Sequence, residues 1–352
     1  MRELTTNDPL VGLLRMTPVV GDQVVAADAL VGASDDLLEA GDVGLGLADR
    51  VVELEAANAA DPSVSLMAGL VDLLATSGPE VDQLAALVAS ARTHLAEIPD
   101  SAVRQLVEAR DLVAEPLDTY APLLDEFREA DDVIPGMLGW GGEKTYLVLA
   151  QNPAELRPGG GYSGTVGTVT FRDGALAEQT FIHVHRLDGQ EDLPFIEPPQ
   201  ALADHLLGPD QSWRLADAAW SPDFPTSAQE AQRMYVLETG TEVDGVIAIT
   251  TYGFDELLGV LGSVYVDEYE VEVRPGDTTM VLLGETRGSD KTVENRKDIL
   301  DVLARTTMQR LLALPTARWP DMLDASRTIG EERMAMAWFD DADAQALAER
   351  AG

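Results

Sequence analysis

The sequence predicts an α/β domain, a mixed sheet flanked by helices, preceded by an α-helical region. Three observations predict it. Apolar residues recur at helical spacing through roughly the first 135 positions, a G-W-G-G stretch at Gly139–Gly142 interrupts the chain, and beyond it period-two segments alternate with helical ones. The expected division is a helical bundle or stalk over residues 1–138 and the α/β domain over 143–352.

Each element has its own signal. Val81, Leu84, Leu87, Val88, Ala91, Leu95 and Ile98 step by threes and fours and form one amphipathic stripe. Val103, Leu106 and Val107 begin a second, with Asp100 or Ser101 placed to cap it. Pro18, Pro62, Gly78–Pro79 and Pro99 punctuate the region at helix-length intervals. No heptad pattern runs long enough to define a coiled coil. The sheet is expected to begin at Tyr146, in T-Y-L-V-L-A. Strands from Gly164 and from Leu176 to His185 flank Arg172–Asp173–Gly174, a hairpin turn of the Asp-Gly type. A helix is expected from Ser227 to Glu238, a strand from Val243 to Ile249 and a helix from Phe254 to Leu261. Strands from Val264 to Val273 and Thr279 to Leu283 and a long helix from Thr292 to Leu314 complete the reading.

Composition narrows the function. The 62 acidic residues against 24 basic ones give a formal net charge of -38, a surface that repels nucleic acid and anionic headgroups. Only Lys144, Lys291 and Lys297 are lysines, which fits a GC-rich genome or adaptation to high salt. The absence of cysteine removes disulfides, thiolate nucleophiles and cysteine metal sites. No run of 18 apolar residues occurs, and the opening M-R-E-L-T-T-N-D-P-L has no signal-peptide core.

Three blocks carry a family resemblance: Tyr146 to Gly174, A-W-S-P-D-F-P at Ala219–Pro225, and Val243 to Val266. They resemble the bacterial domain of unknown function 4012 family, which is placed outside a transmembrane helix. The borders D-P-L-V-G-L-L-R-M-T-P-V-V-G-D and M-A-W-F-D-D-A-D resemble that family too. More remotely the blocks are similar to the LytR-CpsA-Psr envelope enzymes, which transfer glycopolymers from a polyprenyl-pyrophosphate carrier. Ile249 through Val264 resembles a conserved stretch of those enzymes, and His185–Arg186–Leu187–Asp188 resembles their I-P-R-D. Asn295–Arg296–Lys297 echoes their arginine-bearing helix start, and Arg157 with Ser163–Gly164–Thr165 resembles their arginine and S-D-T. The aspartate of S-D-T, a magnesium ligand in the enzymes, is Gly164 in this chain, which removes a charged oxygen from a hard-cation site.

The resemblance implies an extracytoplasmic, cell-surface protein tethered by an N-terminal transmembrane helix absent from this sequence. Its implied partner is a polyprenyl-linked phosphate or a cell-surface polysaccharide, with magnesium as the candidate ion. The residues supply candidates for such a site. Arg157, Arg172, Arg186 and Arg296 form an anion-binding set, with Ser163 and Thr165 beside them and Gly159–Gly160–Gly161 offering backbone amides as an anion nest. The alternative is that these arginines pair with surface acids. Asp188, Asp217 and Asp223 are the candidate catalytic acids, as replacement cation ligands or a general base; Asp223 equally suits a helix cap. His183 and His185, two apart on a strand, would share a face; that spacing can hold a metal with Asp188 or Asp192, but two ligands on one strand are weak evidence, and the favoured expectation is an ordinary polar face. Trp220 and Phe224 are expected as core plugs. Two functions therefore stand: glycopolymer handling through a polyprenyl-phosphate pocket, and a non-catalytic surface scaffold.

Overall fold

The computed structural model describes residues 20–61, 64–208, 210–266, 271–281 and 293–351, the side chains of 293–301 and of several positions between 120 and 132 excepted. The chain divides into two compact units, Met1–Pro135 and Gly136–Gly352.

The first unit is helical. Helix α1 spans Val20–Ala60, α2 Leu66–Thr76, α3 Gly78–Ala96, and α4 Arg104–Met137 runs into the second unit. Helix α1 packs against α3 through small side chains: Ala26, Ala29, Ala33 and Ala91 are buried with Leu95 and Ile98. Alanines at this seam let two backbones approach closely, and Leu30, Leu37 and Leu106 close its margins. The expected α3 stripe supplies Val81, Val88, Ala91 and Leu95 to the interior. Neither Asp100 nor Ser101 caps α4: Gln23 Oε1 accepts the Val103 N–H at 2.6 Å, and the Ser101 hydroxyl donates to Asp22 at 2.6 Å.

The second unit is α/β. Strands β1 (Glu143–Asn152), β2 (Tyr162–Arg172), β3 (Ala175–His183), β4 (Gly245–Thr250) and β7 (Ala335–Phe339) form a five-stranded sheet in the order β3-β2-β1-β4-β7. Strands β1 and β4 run parallel, and every other neighbouring pair is antiparallel. Strand β1 is central and buried on both faces, so T-Y-L-V-L-A reads as a continuous apolar run. The sheet begins at Glu143, three residues before the expected Tyr146, because Lys144 and Thr145 are held by Asp244 ahead of β4.

One face of the sheet packs Leu147, Leu149, Val166, Val246 and Ala248 against helix α6 (Phe224–Thr239), which contributes Ala228, Ala231 and Met234. Between β3 and α6 lie the short helix α5 (His185–Asp188) and a 3-10 turn at Leu215–Asp217. Helix α7 (Thr251–Leu261) follows β4. A separate ribbon of β5 (Val264–Val266) and β6 (Val271–Val273) packs with Leu258 and with Leu303 of helix α8 (Val293–Leu312). Helix α8 also lies against β3. Helix α9 (Trp319–Glu331) leads to β7, and α10 (Ala342–Ala351) closes the described chain.

Three expectations change. Strand β3 stops at His183, and His185 opens α5. Residues 278–281 are helical where a strand was expected from Thr279, since Asp255 accepts from the Thr278 N–H and hydroxyl and caps a turn there; positions 282–283 lie outside the described residues. The edge strand β7 was read only as a border motif, yet A-M-A-W-F is the short apolar run that pairs β4. Among the described residues no helix is long and apolar enough to cross a membrane.

Candidate functional site

The carboxyl ends of the parallel pair β1 and β4 meet at Gln151 and Thr250. At that edge the β1–β2 loop, the start of β2, the end of β3, α5 and the 215–217 turn come together, the usual location for ligands in α/β sheets. The loop carries Arg157. Its Nε donates to Asp217 Oδ1 at 2.6 Å and its Nη1 to the Leu156 carbonyl at 3.0 Å. Both side chains of the ion pair are about a tenth exposed, at 11% and 10%. The guanidinium carbon lies 5.2 Å from the centre of the Tyr162 ring, within cation–π range. Trp213 steadies the acid from behind, its indole N–H donating to the Asp217 carbonyl at 2.9 Å.

The row of contacts continues through Tyr162. Its hydroxyl lies 3.3 Å from His185 Nε2, and the rings of His185 and His183 are 4.8 Å apart. His183 Nδ1 accepts the His185 backbone N–H at 3.2 Å, which places its ring proton on Nε2 in the neutral form. Burial, first, and the nearby Asp188 raise the Tyr162 pKa, so this phenol stays protonated.

Near Tyr162 lies an acid pair. Asp188, on α5, lies beside Glu238 in the last turn of α6, two carboxyls placed to share a proton. Asp188 Oδ2 also accepts the Ala216 N–H at 3.3 Å. Among the described residues Asp188 Oδ1 and both Glu238 oxygens are buried without a hydrogen-bond partner. Two carboxylates offer each other only acceptors, so a hydrogen bond between them requires that one be protonated. Burial is the first cause that raises both groups; the charge of Asp188 then raises Glu238 further, and Asp217 does the same to Asp188.

The glycine loop is built for close packing. Gly159 donates its N–H to the Ala219 carbonyl at 2.9 Å, and Gly160 donates to Arg157 O at 3.3 Å, so these amides do not form an anion nest. A Cβ on Gly159 would lie 2.8 Å from the Ser221 carbonyl oxygen. One on Gly161 (φ 135°) would lie 2.4 Å from that of Asn152. Glycine is required at both by proximity.

The structure brings Arg157, Asp217, Asp188 and Arg186 to this edge, with Arg186 exposed on α5. Arg172 does not join them: it ends β2, paired with Glu143, about 30 Å along the strand from Ser163. Asp223 is the N-cap of α6, its carboxylate accepting from the Thr226 N–H at 3.1 Å and from the Thr226 hydroxyl, which lowers its pKa. Its geometry is that of a cap, and Phe224 beside it is buried in the core. Ser163 and Thr165 are 0% and 1% exposed; their hydroxyl oxygens and Gln151 Oε1 have no hydrogen-bond partner among the described residues. Arg296 falls on α8, and its side chain lies outside the described residues. His183 and His185 meet as tilted rings, one at a strand end and one on a helix, instead of side by side on a strand. Asp192 is exposed beyond α5, and Trp220 is half-buried.

Glu238, Tyr162, Trp213 and Gln151 were not singled out from sequence. Glu238 carried a signal: an acid in the last helical turn, two residues before Gly240 at φ 73°, opposes the helix dipole and needs a local reason.

Comparison with known proteins agrees with the sequence at the level of family. Residues 141–286 match the model of the DUF4012 family, described as a protein of unknown function. Among solved structures, protein gbs0355 from Streptococcus agalactiae is 16% identical with a TM-score of 0.37, covering 59% of this chain and 73% of its own. A protein described as transcriptional regulator EF0465 from Enterococcus faecalis is 14% identical with a TM-score of 0.33, covering 59% of this chain and 72% of its own. No curated protein matches the sequence.

Proposed function

We propose that the α/β unit binds a phosphate-bearing carrier of the polyprenyl-phosphate type at the edge around Arg157, as part of handling cell-surface glycopolymer outside the cytoplasm. One observation carries this reading. Arg157 is largely buried, yet it is oriented by Asp217 and Tyr162 with Nη2 lacking a hydrogen-bond partner among the described residues. A pre-oriented guanidinium loses little freedom on meeting phosphate oxygens. The surrounding carboxyls oppose an anion, and protonation of the Asp188–Glu238 pair reduces that opposition by one charge.

Magnesium does not fit the residues present. The position of the expected carboxylate is Gly164, and the nearby buried oxygens of Ser163, Thr165 and Gln151 are neutral. Among the described residues no group of three or more His, Asp or Glu side chains converges as metal ligands do. The proposal is accordingly one of binding. The scaffold reading is favoured by a separate observation: the Arg157 charge is already met by Asp217, as in a structural ion pair.

Titration of the full chain with a short polyprenyl phosphate, and with the polyprenol of equal length, separates the two. Binding requires the phosphate to bind at least about tenfold tighter than the alcohol, the worth of one charge-assisted contact. Equal affinity, or none for either, leaves the scaffold.

A further inference from the structure

Helix α1 has two apolar faces, and among the described residues the first unit buries one. The used face is the alanine seam of Ala26, Ala29, Ala33 and Ala40. About half a turn away, counting about 100° per residue, Val31, Leu38, Leu45 and Val52 stand outside the core. Their exposures are 48%, 71%, 64% and 59%. They repeat every seven residues, the spacing that keeps a straight stripe against another helix in a left-handed supercoil. Three residues after the first three of them come Ser34, Gly41 and Ala48, all exposed and small enough for a partner backbone to approach. A Cβ built on Gly41 would meet nothing within 4 Å.

The flank of the stripe decides the partner. Asp35, Asp42 and Asp49 repeat with the same seven-residue period, each four residues after a stripe residue, and all are exposed. A second copy would bring its own aspartate row, and with it part of a chain of formal net charge -38. We infer that this face of α1 docks an amphipathic helix of a partner protein, with an apolar heptad row flanked by Lys or Arg. The apolar rows supply burial, and the basic flank meets the aspartates at the positions where coiled coils place their interhelical ion pairs.

The probe is a synthetic four-heptad helical peptide with leucine core positions and lysine flanks, set against a counterpart with glutamate flanks. Binding to the full chain is measured for the wild type and for the double substitution Leu38→Glu/Leu45→Glu. Both sites are solvent-exposed, and circular dichroism confirms equal helicity. The lysine peptide should bind the wild type and lose at least about tenfold on the double variant. Simple charge attraction predicts the reverse, since the variant is two charges more negative. Undiminished binding by the variant, equal binding of the glutamate peptide, or no binding of the lysine peptide overturns the inference. So does a wild-type dimer in sedimentation that the double substitution dissociates, which would assign the stripe to a second copy.

Discussion

Replacing Glu238 by glutamine should change how the stability of the α/β unit depends on pH. In the wild type a hydrogen bond between Asp188 and Glu238 needs a proton, and burial raises both groups above their ordinary values of 3.8 and 4.5. Below those ordinary values folded and unfolded chains are both protonated, and the pair contributes its full stability. As pH rises the unfolded carboxyls ionise first, so folding must take up protons, and stability falls until the folded pair has titrated, for Glu238 at about 8. One proton taken up on folding corresponds to a slope of at most about 1.4 kcal/mol per pH unit. Glutamine donates to Asp188 without a proton and removes that slope. Allowing for relaxation around a buried pair, the variant should gain on the order of 2 kcal/mol relative to wild type between about pH 5 and 8. Urea unfolding followed by tryptophan fluorescence reads this unit alone, because Trp140, Trp213, Trp220, Trp319 and Trp338 all lie within Gly136–Gly352. Subtracting the two curves cancels the general effect of the acidic surface. Wild-type and variant stabilities that run parallel over that range would refute the shared proton.

The remaining predictions concern stability. Asp217→Asn leaves Arg157 nearly buried without its counter-charge and should cost about 3 kcal/mol in the same unfolding assay, whereas Arg172→Ala, from an exposed pair, should cost under about 1 kcal/mol. Asp223→Ala should lose the α6 cap and about 1 kcal/mol, with ligand affinity unchanged. With a formal net charge of -38, the melting temperature should rise as salt is raised from about 0.01 to 1 M, and a flat scan would show that acid repulsion is already compensated.

Much of the fold was legible because its signals are local. The change from helical to strand period across Gly139–Gly142, the Asp173–Gly174 hairpin, and the helices after Pro222 and Thr250 all follow from spacing and capping within a few residues. What escaped depends on distant partners. Residues 278–281 became helical because Asp255, far upstream, caps them. The A-M-A-W-F strand is recognisable only once β4 lacks a second neighbour. The site divides the same way. Arg157, Asp188 and Asp217 were selected by residue type, but their pairing across 60 positions, and the meeting of Asp188 with Glu238, arise from tertiary packing. Arg172 illustrates the opposite error: near Ser163 in sequence, it is carried to the far end of the strand by the extended backbone.

The most direct test of the account is the affinity of the full chain for a short polyprenyl phosphate, compared among the wild type, Arg157→Ala and Arg172→Ala at fixed salt. If the carboxyl-edge site holds the phosphate, Arg157→Ala should bind about ten- to a hundredfold more weakly and Arg172→Ala as the parent does, reflecting one charge-assisted hydrogen-bonded contact. Equal loss in both variants would mean diffuse charge attraction, and an Arg157→Ala protein that binds as tightly as wild type would contradict the assignment of this edge as a ligand site.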